Sequence, residues 1–316
     1  MENLKKVTSN PKLNNQKKIL TAPNVIVMTG CTGYLGSHLL RHLLKSGYII
    51  YCLHRSKSNF DRVGDLISAV KLVNIETTDL NNFFRLHRVD YVLHCATNYG
   101  RKEDDPIQTI EANLILPLKL LHAAAVNGVC AFINTDTILD KGINNYSLSK
   151  KQFRDWLQDY SDRIVGINVA LEHFYGPGDD SSKFVTYIIH SLLSNVVQIK
   201  LTEGRQKRDF IFIDDVVSAF MTIINKIPTF KHRYCSFEVG SSKAVEIREF
   251  VQLVKDACGN NQTNLIFGAI PYRQNEAMCS EVNISELRSL GWSPKVSLLE
   301  GIKKTITIER KVEFFL

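Results

Sequence analysis

Tyr146 and Lys150 stand four residues apart in the run Tyr-Ser-Leu-Ser-Lys, one helical turn from each other and on the same face. A free phenol titrates near pH ~10. A neighbouring ammonium favours the phenolate, as does a positively charged nicotinamide, so the pair lowers that value. Tyr146 can then give a proton to a carbonyl oxygen as hydride reaches the carbon, and Lys150 can also hold nicotinamide ribose hydroxyls. The pattern Y-x-x-x-K is common by itself, so its weight depends on what precedes it. A third member is expected at the end of the preceding strand. There Phe132-Ile-Asn-Thr135 ends on a hydroxyl that could bond the substrate oxygen and form an oxyanion-stabilising pair with Tyr146. Asn113 has two readings, a proton relay or a helix-surface amide.

These groups need a cofactor, and Gly30, Gly33 and Gly36 supply the signal for one. An apolar strand runs into a tight G-x-x-G-x-x-G turn that opens a helix. The glycines allow the turn, close backbone approach to a pyrophosphate, and tight packing of helix on strand. Thr32, Tyr34 and Leu35 complete the turn, and the helix N-terminus offers N–H groups and a positive dipole end. An acid at the end of the second strand would hold an NAD ribose. The sequence there reads Leu53-His-Arg55-Ser-Lys57, without a carboxylate. Arg55 and Lys57 suit a 2′-phosphate, so NADPH is the expected cofactor; otherwise Arg55 is a solvated strand-end charge. Asp79, before Leu80, either accepts from an adenine amine or caps the helix that follows. Ala96 is expected against the cofactor at the end of the fourth strand.

The elements that position these groups alternate. Strands are expected over 25–29, 49–54, 70–75, 91–95, 131–135 and 164–170, with helices over 36–45, 81–87, 106–127 and 147–160. Near-continuous apolar strands separated by helices imply a doubly wound α/β parallel sheet. The expected organisation is a Rossmann domain over 23–172 with a return segment at 208–226. A smaller mixed α/β substrate domain is expected over 173–207 and 227–316.

The chain has 316 residues and a formal charge of +7, part of it in a polar, Lys- and Asn-rich stretch over 1–22. That stretch is expected to be a disordered lead-in. It could touch nucleic acid or anionic lipid, but solvated disorder is the favoured reading, so no nucleic-acid partner is expected. It has no apolar core of the signal-peptide kind, and no apolar run approaches membrane-spanning length; a cytoplasmic protein without a membrane partner is expected. Seven scattered cysteines without a C-x-x-C pair argue against a disulfide framework or a metal site. Cys31, Cys52, Cys95 and Cys130, in or beside apolar runs, are expected to be mostly buried.

Together these residues resemble the extended short-chain dehydrogenase/reductase superfamily, in its nucleotide-sugar branch, over residues 24–310. The segment Ile-Asn-Thr135-Asp136-Thr137 is similar to the Ile-Ser-Thr-Asp-Glu of nucleotide-sugar 4,6-dehydratases, whose Asp and Glu drive elimination of water. Thr137 stands where that Glu would be, which turns the expectation from dehydration towards simple keto-reduction. Thr135 and Tyr146 are also only eleven positions apart, closer than usual in that branch. Arg208, in Arg-Asp-Phe, and Arg273 look like the branch's diphosphate-clasping arginines; the alternative for both is surface salt bridging. The runs Ala96-Thr97-Asn98-Tyr99-Gly, Leu-Glu-His173-Phe-Tyr-Gly-Pro-Gly and Lys183-Phe184 resemble the CDP-abequose and CDP-paratose synthase group. That resemblance implies NADPH-dependent reduction of the C4 ketone of CDP-4-dehydro-3,6-dideoxy-D-glucose for O-antigen synthesis. Thr97, Asn98, Tyr99, Asp136, Thr137, His173, Lys183, Phe184, Arg208 and Arg273 would face the CDP-linked sugar. It also implies a homodimer built on the two helices over 106–127 and 147–160. The alternatives are a 4-epimerase, a reductase of another nucleotide keto-sugar, and a non-catalytic dinucleotide-binding module.

Overall fold

Segments such as Val25-Ile-Val-Met-Thr are apolar at every position, and so must be covered on both faces. In the computed structural model, which describes residues 24–100 and 105–313, all five of these residues are buried. The lead-in over 1–22 lies outside the described residues. Strands β1 (Val25–Thr29), β2 (Ile49–His54), β3 (Lys71–Asn74), β4 (Tyr91–His94), β5 (Ala131–Thr137) and β6 (Val165–Leu171) open the fold. Helices α1 (Tyr34–Lys45), α2 (Leu80–Leu86), α3 (Pro106–Ile110), α4 (Leu116–Val126) and α5 (Asn145–Asp159) connect them. The later chain supplies β7 (His173–Tyr175), α6 (Phe184–Leu193), β8 (Gln198–Leu201), β9 (Lys207–Phe212), α7 (Ile213–Lys226) and β10 (Tyr234–Val239). Then follow β11 (Ala244–Glu246), α8 (Ile247–Cys258), β12 (Asn264–Phe267), α9 (Ser285–Ser289) and α10 (Leu298–Glu313).

Seven strands form one parallel sheet in the order β10-β6-β5-β4-β1-β2-β3. This is a Rossmann-like doubly wound fold. The order reverses at β1, which lies between β4 and β2, so the loops after β1 and β4 part there and leave a crevice. Residues Gly30 and Ala96 sit at its two lips. The rest of the chain adds a three-stranded sheet, β11-β9-β7, and a two-stranded one, β12-β8. Two apolar clusters cover the faces of the main sheet. One holds Leu39, Leu43 and Ile133 and runs on through Phe220 and Phe250, and the other holds Leu120, Leu121, Phe132 and Phe153.

Four features differ from the sequence reading. First, β10 falls within the 227–316 stretch expected in the substrate domain, yet it pairs with β6 along Tyr234–Gly166 to Val239–Leu171. Its half-exposed edge position gives it no continuous apolar run to read. Second, the expected single helix over 106–127 is interrupted by a π-helical turn at Glu111–Ile115. Third, that same run of 21 residues, 106–126, has a mean hydropathy of 1.3 over its best window and is long and apolar enough to span a bilayer by composition. In the fold it is a core helix: Leu120, Leu121, Ala123 and Ala124 are buried among the second cluster. Fourth, Cys130 is exposed, because it precedes β5 at the sheet's N-terminal margin. The Leu287–Trp292 segment is structural: both residues are buried, and the indole Nε1 donates to Ser218 Oγ at 2.8 Å.

Candidate active site

The glycine turn leaves no room for side chains. Gly30 has φ +69°, and a Cβ there would lie 2.6 Å from Ala96 N. A Cβ at Gly36 would lie 1.9 Å from Gly30 O. Gly33 is exposed at the N-terminus of α1 with no side-chain cap and no acid in the first turn. The first-turn N–H groups, those of Tyr34 and Leu35 among them, are therefore left for an anion. Thr29 ties the two lips together: its Oγ1 is 2.8 Å from His94 Nδ1 and accepts from Ala96 N at 3.3 Å.

Lys150 is buried in α5 with 1% of its surface exposed, and its Nζ has no hydrogen-bond partner among the described residues. A cation so placed is costly unless something arrives to satisfy it. Cradle and orphan ammonium together fit a dinucleotide: when one is bound, the turn would hold its pyrophosphate and Nζ would meet its ribose hydroxyls. Burial pushes the ammonium down from its usual 10.5 to about 8, with Asp136 opposing the shift. The unfolded chain therefore keeps this proton over the pH window between those two values while the fold releases it. Stability should then rise with pH across that window. A contribution of roughly 3 kcal/mol is expected there, and urea unfolding of wild type against Lys150→Met should show it lost in the variant.

Asn113 lies fully buried in the π turn and spends its amide on three residues in two elements. Its Oδ1 accepts from Asn98 N at 2.8 Å and Thr97 Oγ1 at 3.2 Å, while Nδ2 donates to Asn98 O at 2.8 Å and Ser149 Oγ at 3.1 Å. It is thus no surface amide. It pins the loop after β4 to the helix that carries Tyr146 and Lys150. Tyr146 is half-buried, and its ring lies 5.1 Å from that of Tyr99, which belongs to the same loop.

Lys183 Nζ stands over three rings, 4.5 Å from Phe174 and 5.7 Å from both Tyr34 and Tyr99. It pairs with the buried Asp179 at 3.3 Å. Burial raises the Asp179 carboxyl above its ordinary range against the pull of Lys183. Burial likewise pushes up the Tyr34 phenol, whose hydroxyl has no partner among the described residues.

Several expected residues are held elsewhere. Asp136 is 3% exposed, bonded to Lys151 Nζ at 3.2 Å and Asn168 Nδ2 at 3.0 Å. Side chains alternate along β5, so Asp136 turns away from its neighbours Thr135 and Thr137. The Thr135 hydroxyl donates to His94 O at 3.1 Å, which commits its proton. Thr137 Oγ1 accepts from Leu139 N at 3.2 Å and has no acceptor of its own among the described residues. Phe184 packs against Phe250, ring to ring at 6.0 Å, as part of the core. Arg208 is buried in an ion pair with Glu276 and donates to Lys207 O at 2.7 Å. Arg273 is exposed. The half-exposed His173 has Nδ1 2.5 Å from the buried Glu172, which also accepts from Ser280 Oγ at 2.8 Å. Asp79 caps α2 by accepting from Asn82 N at 2.9 Å, and Leu80 begins that helix partly buried.

Arg55 and Lys57 are exposed in the turn after β2. The sequence reading missed Glu76, whose Oε2 accepts from Ser56 N at 2.9 Å and Ser56 Oγ at 2.5 Å. It also missed Glu172, Asp179 and Ser149. Each binds a residue distant in sequence or lies in a loop with no periodic pattern, and only the Ser-Leu-Ser spacer between Tyr146 and Lys150 hinted at one of them.

Residues 26–240 match the NAD dependent epimerase/dehydratase family. The chain is 32% identical to CDP-abequose synthase of Salmonella muenchen over 294 residues, covering 90% of this chain and 97% of that one. Among solved structures, UDP-glucose 4-epimerase of Thermotoga maritima with UDP-glucose superposes with a TM-score of 0.79 at 23% identity, over 92% of this chain and 99% of the other. The Thermus thermophilus UDP-glucose 4-epimerase complex with NAD gives 0.76 at 22% identity, over 90% and 99%. At these identities the two structures establish the shared fold.

Proposed function

The chain belongs to the NAD dependent epimerase/dehydratase family, and from that premise we propose an NADPH-dependent nucleotide-sugar 4-ketoreductase. Its substrate in this reading is CDP-4-dehydro-3,6-dideoxy-D-glucose, and its product a CDP-3,6-dideoxyhexose of the abequose or paratose kind for O-antigen synthesis. The observation that carries the reading is the half-buried Tyr146 one turn from a buried Lys150 whose Nζ has no partner among the described residues. Near full-length similarity to a CDP-abequose synthase supports the substrate.

When bound in this crevice, NADPH would be the source of the hydride for C4. Tyr146 donates the proton that completes the new hydroxyl. Lys150 holds ribose hydroxyls through Nζ and, as a cation close by, favours loss of that proton from the phenol. A second hydrogen bond to the C4 oxygen comes from the end of β5, where Thr137 keeps a proton to give and Thr135 would have to release His94 O to do so. Asn113 keeps the loop of Thr97 and Asn98 in register with α5. Lys183, Tyr99 and His173 meet the sugar and nucleotide, and the diphosphate draws Arg208 from Glu276, with Arg273 alongside. Thr137 offers no base for eliminating water. We place the enzyme in the cytoplasm as a homodimer. Exposed Ile107, Val126, Leu148 and Trp156 on α3, α4 and α5 support the pairing of those helices.

One observation favours a second reading, a 4-epimerase with retained NAD: the Glu76 carboxylate beside Ser56. The test is incubation with NADPH and CDP-4-dehydro-3,6-dideoxy-D-glucose. One NADPH oxidised per sugar, with a C4 carbinol proton by NMR, is the expected result. No NADPH consumption, together with NAD released on denaturing the purified protein, would favour the epimerase.

A further inference from the structure

The turn after β2 is built to hold an anion, and the anion it holds is the protein's own. Ser56 presents its backbone N–H and its hydroxyl to one oxygen, Glu76 Oε2, at 2.9 and 2.5 Å. Asn74 braces both partners, donating to Ser56 Oγ at 3.0 Å and accepting from Glu76 N at 2.9 Å. Arg55 N donates to Ser58 Oγ at 3.0 Å, which closes the turn. The two Ser56 donors, and then Arg55 and Lys57, hold the Glu76 carboxyl below its usual range. Two donors and two cations around one point suit a phosphate with several oxygens better than a single carboxylate oxygen. Leu53 is in register with Thr29, so the turn begins beside the one that bears Gly30. It therefore lies where the adenosine end of a dinucleotide must pass.

We propose that Glu76 is a built-in competitor for a cofactor 2′-phosphate, occupying the Ser56 donors and thereby setting how strongly the chain prefers the phosphorylated dinucleotide. Arg55 and Lys57 attract the 2′-phosphate; Glu76 repels it and must be displaced before Ser56 can bind it. A 2′-hydroxyl, by contrast, can donate to Glu76 without displacing it. Preference at this site is thus a balance between two cations and one acid delivered from the turn after β3, twenty residues from the serine it binds. The inference rests on the proposal that NADPH occupies the crevice.

The test uses fragments rather than turnover. Dissociation constants of adenosine 2′,5′-bisphosphate and of 5′-AMP are measured by calorimetry on wild type, Glu76→Gln, Glu76→Ala and Arg55→Ala. Both Glu76 variants should raise the preference for the 2′-phosphorylated fragment about tenfold, the scale of one unit charge removed from beside a dianion in water. A ratio within about twofold of wild type in both variants would overturn the role of Glu76, since a shift of that size is well under the expected electrostatic effect. Arg55→Ala keeps the two readings apart. If it lowers the wild-type ratio, the NADPH reading stands whatever Glu76 does. If wild type has no preference and Arg55→Ala changes nothing, the NADPH reading falls, and the Glu76 ratios still decide this inference.

Discussion

Tyr146→Phe is expected to lower kcat for keto-sugar reduction by about 10²–10⁴-fold, the range a positioned general acid contributes. The variant keeps the ring and loses only the proton donor. Its neighbour Tyr99, 5.1 Å away ring to ring, keeps the same surface to pack on. Lys150, buried independently in α5, keeps its place for ribose hydroxyls. Dinucleotide affinity should therefore hold while kcat collapses and KM moves little, the pattern of a group that acts in the transition state. Stopped-flow oxidation of NADPH together with cofactor titration separates the two quantities. Unchanged turnover would sink the catalytic assignment.

The second large effect belongs to Gly36→Ala. One added methyl would sit 1.9 Å from Gly30 O and 2.7 Å from Gly30 C, and both are backbone. Gly30 cannot retreat, because its own face is against Ala96 N and its φ of +69° strongly favours glycine. The turn must deform, at a cost of about 1–3 kcal/mol or more for overpacking a rigid site. Dinucleotide binding should be lost and Tm lowered. Gly33→Ala is the control: its nearest atom is Gly30 O at 3.3 Å, so the fold should stand while approach to the phosphates suffers. If Gly36→Ala bound the dinucleotide as wild type does, the turn would not be the cofactor's cradle.

Much of this was legible from local pattern. Continuous apolar strands, the glycine turn and the four-residue step from Tyr146 to Lys150 each depend on neighbours in sequence, and the fold realises them where expected. Asp136 was misread although the means to read it were at hand. Strand residues alternate, so a carboxylate between Thr135 and Thr137 cannot share their side, and Lys151 was there to receive it. Other residues left no local trace. Glu76 finds Ser56 across two strands, and Arg208 finds Glu276 from a loop far along the chain. β10 has no continuous apolar run because it is an edge, covered less fully than the strands within. Asp79 was readable both ways, and its hydrogen bond to Asn82 N makes it a helix cap.

That edge strand also sets an order on biosynthesis. The ribosome must make β7, α6, β8, β9 and α7 before Val239 emerges to close the main sheet along β6. Until then β6, buried at six of its seven positions in the finished fold, offers an open edge to any other strand. The dinucleotide half cannot mature first and wait for the rest, as a tandem domain could. It stays unsealed while the intervening elements are made, so the nascent chain is most vulnerable to mispairing during that interval.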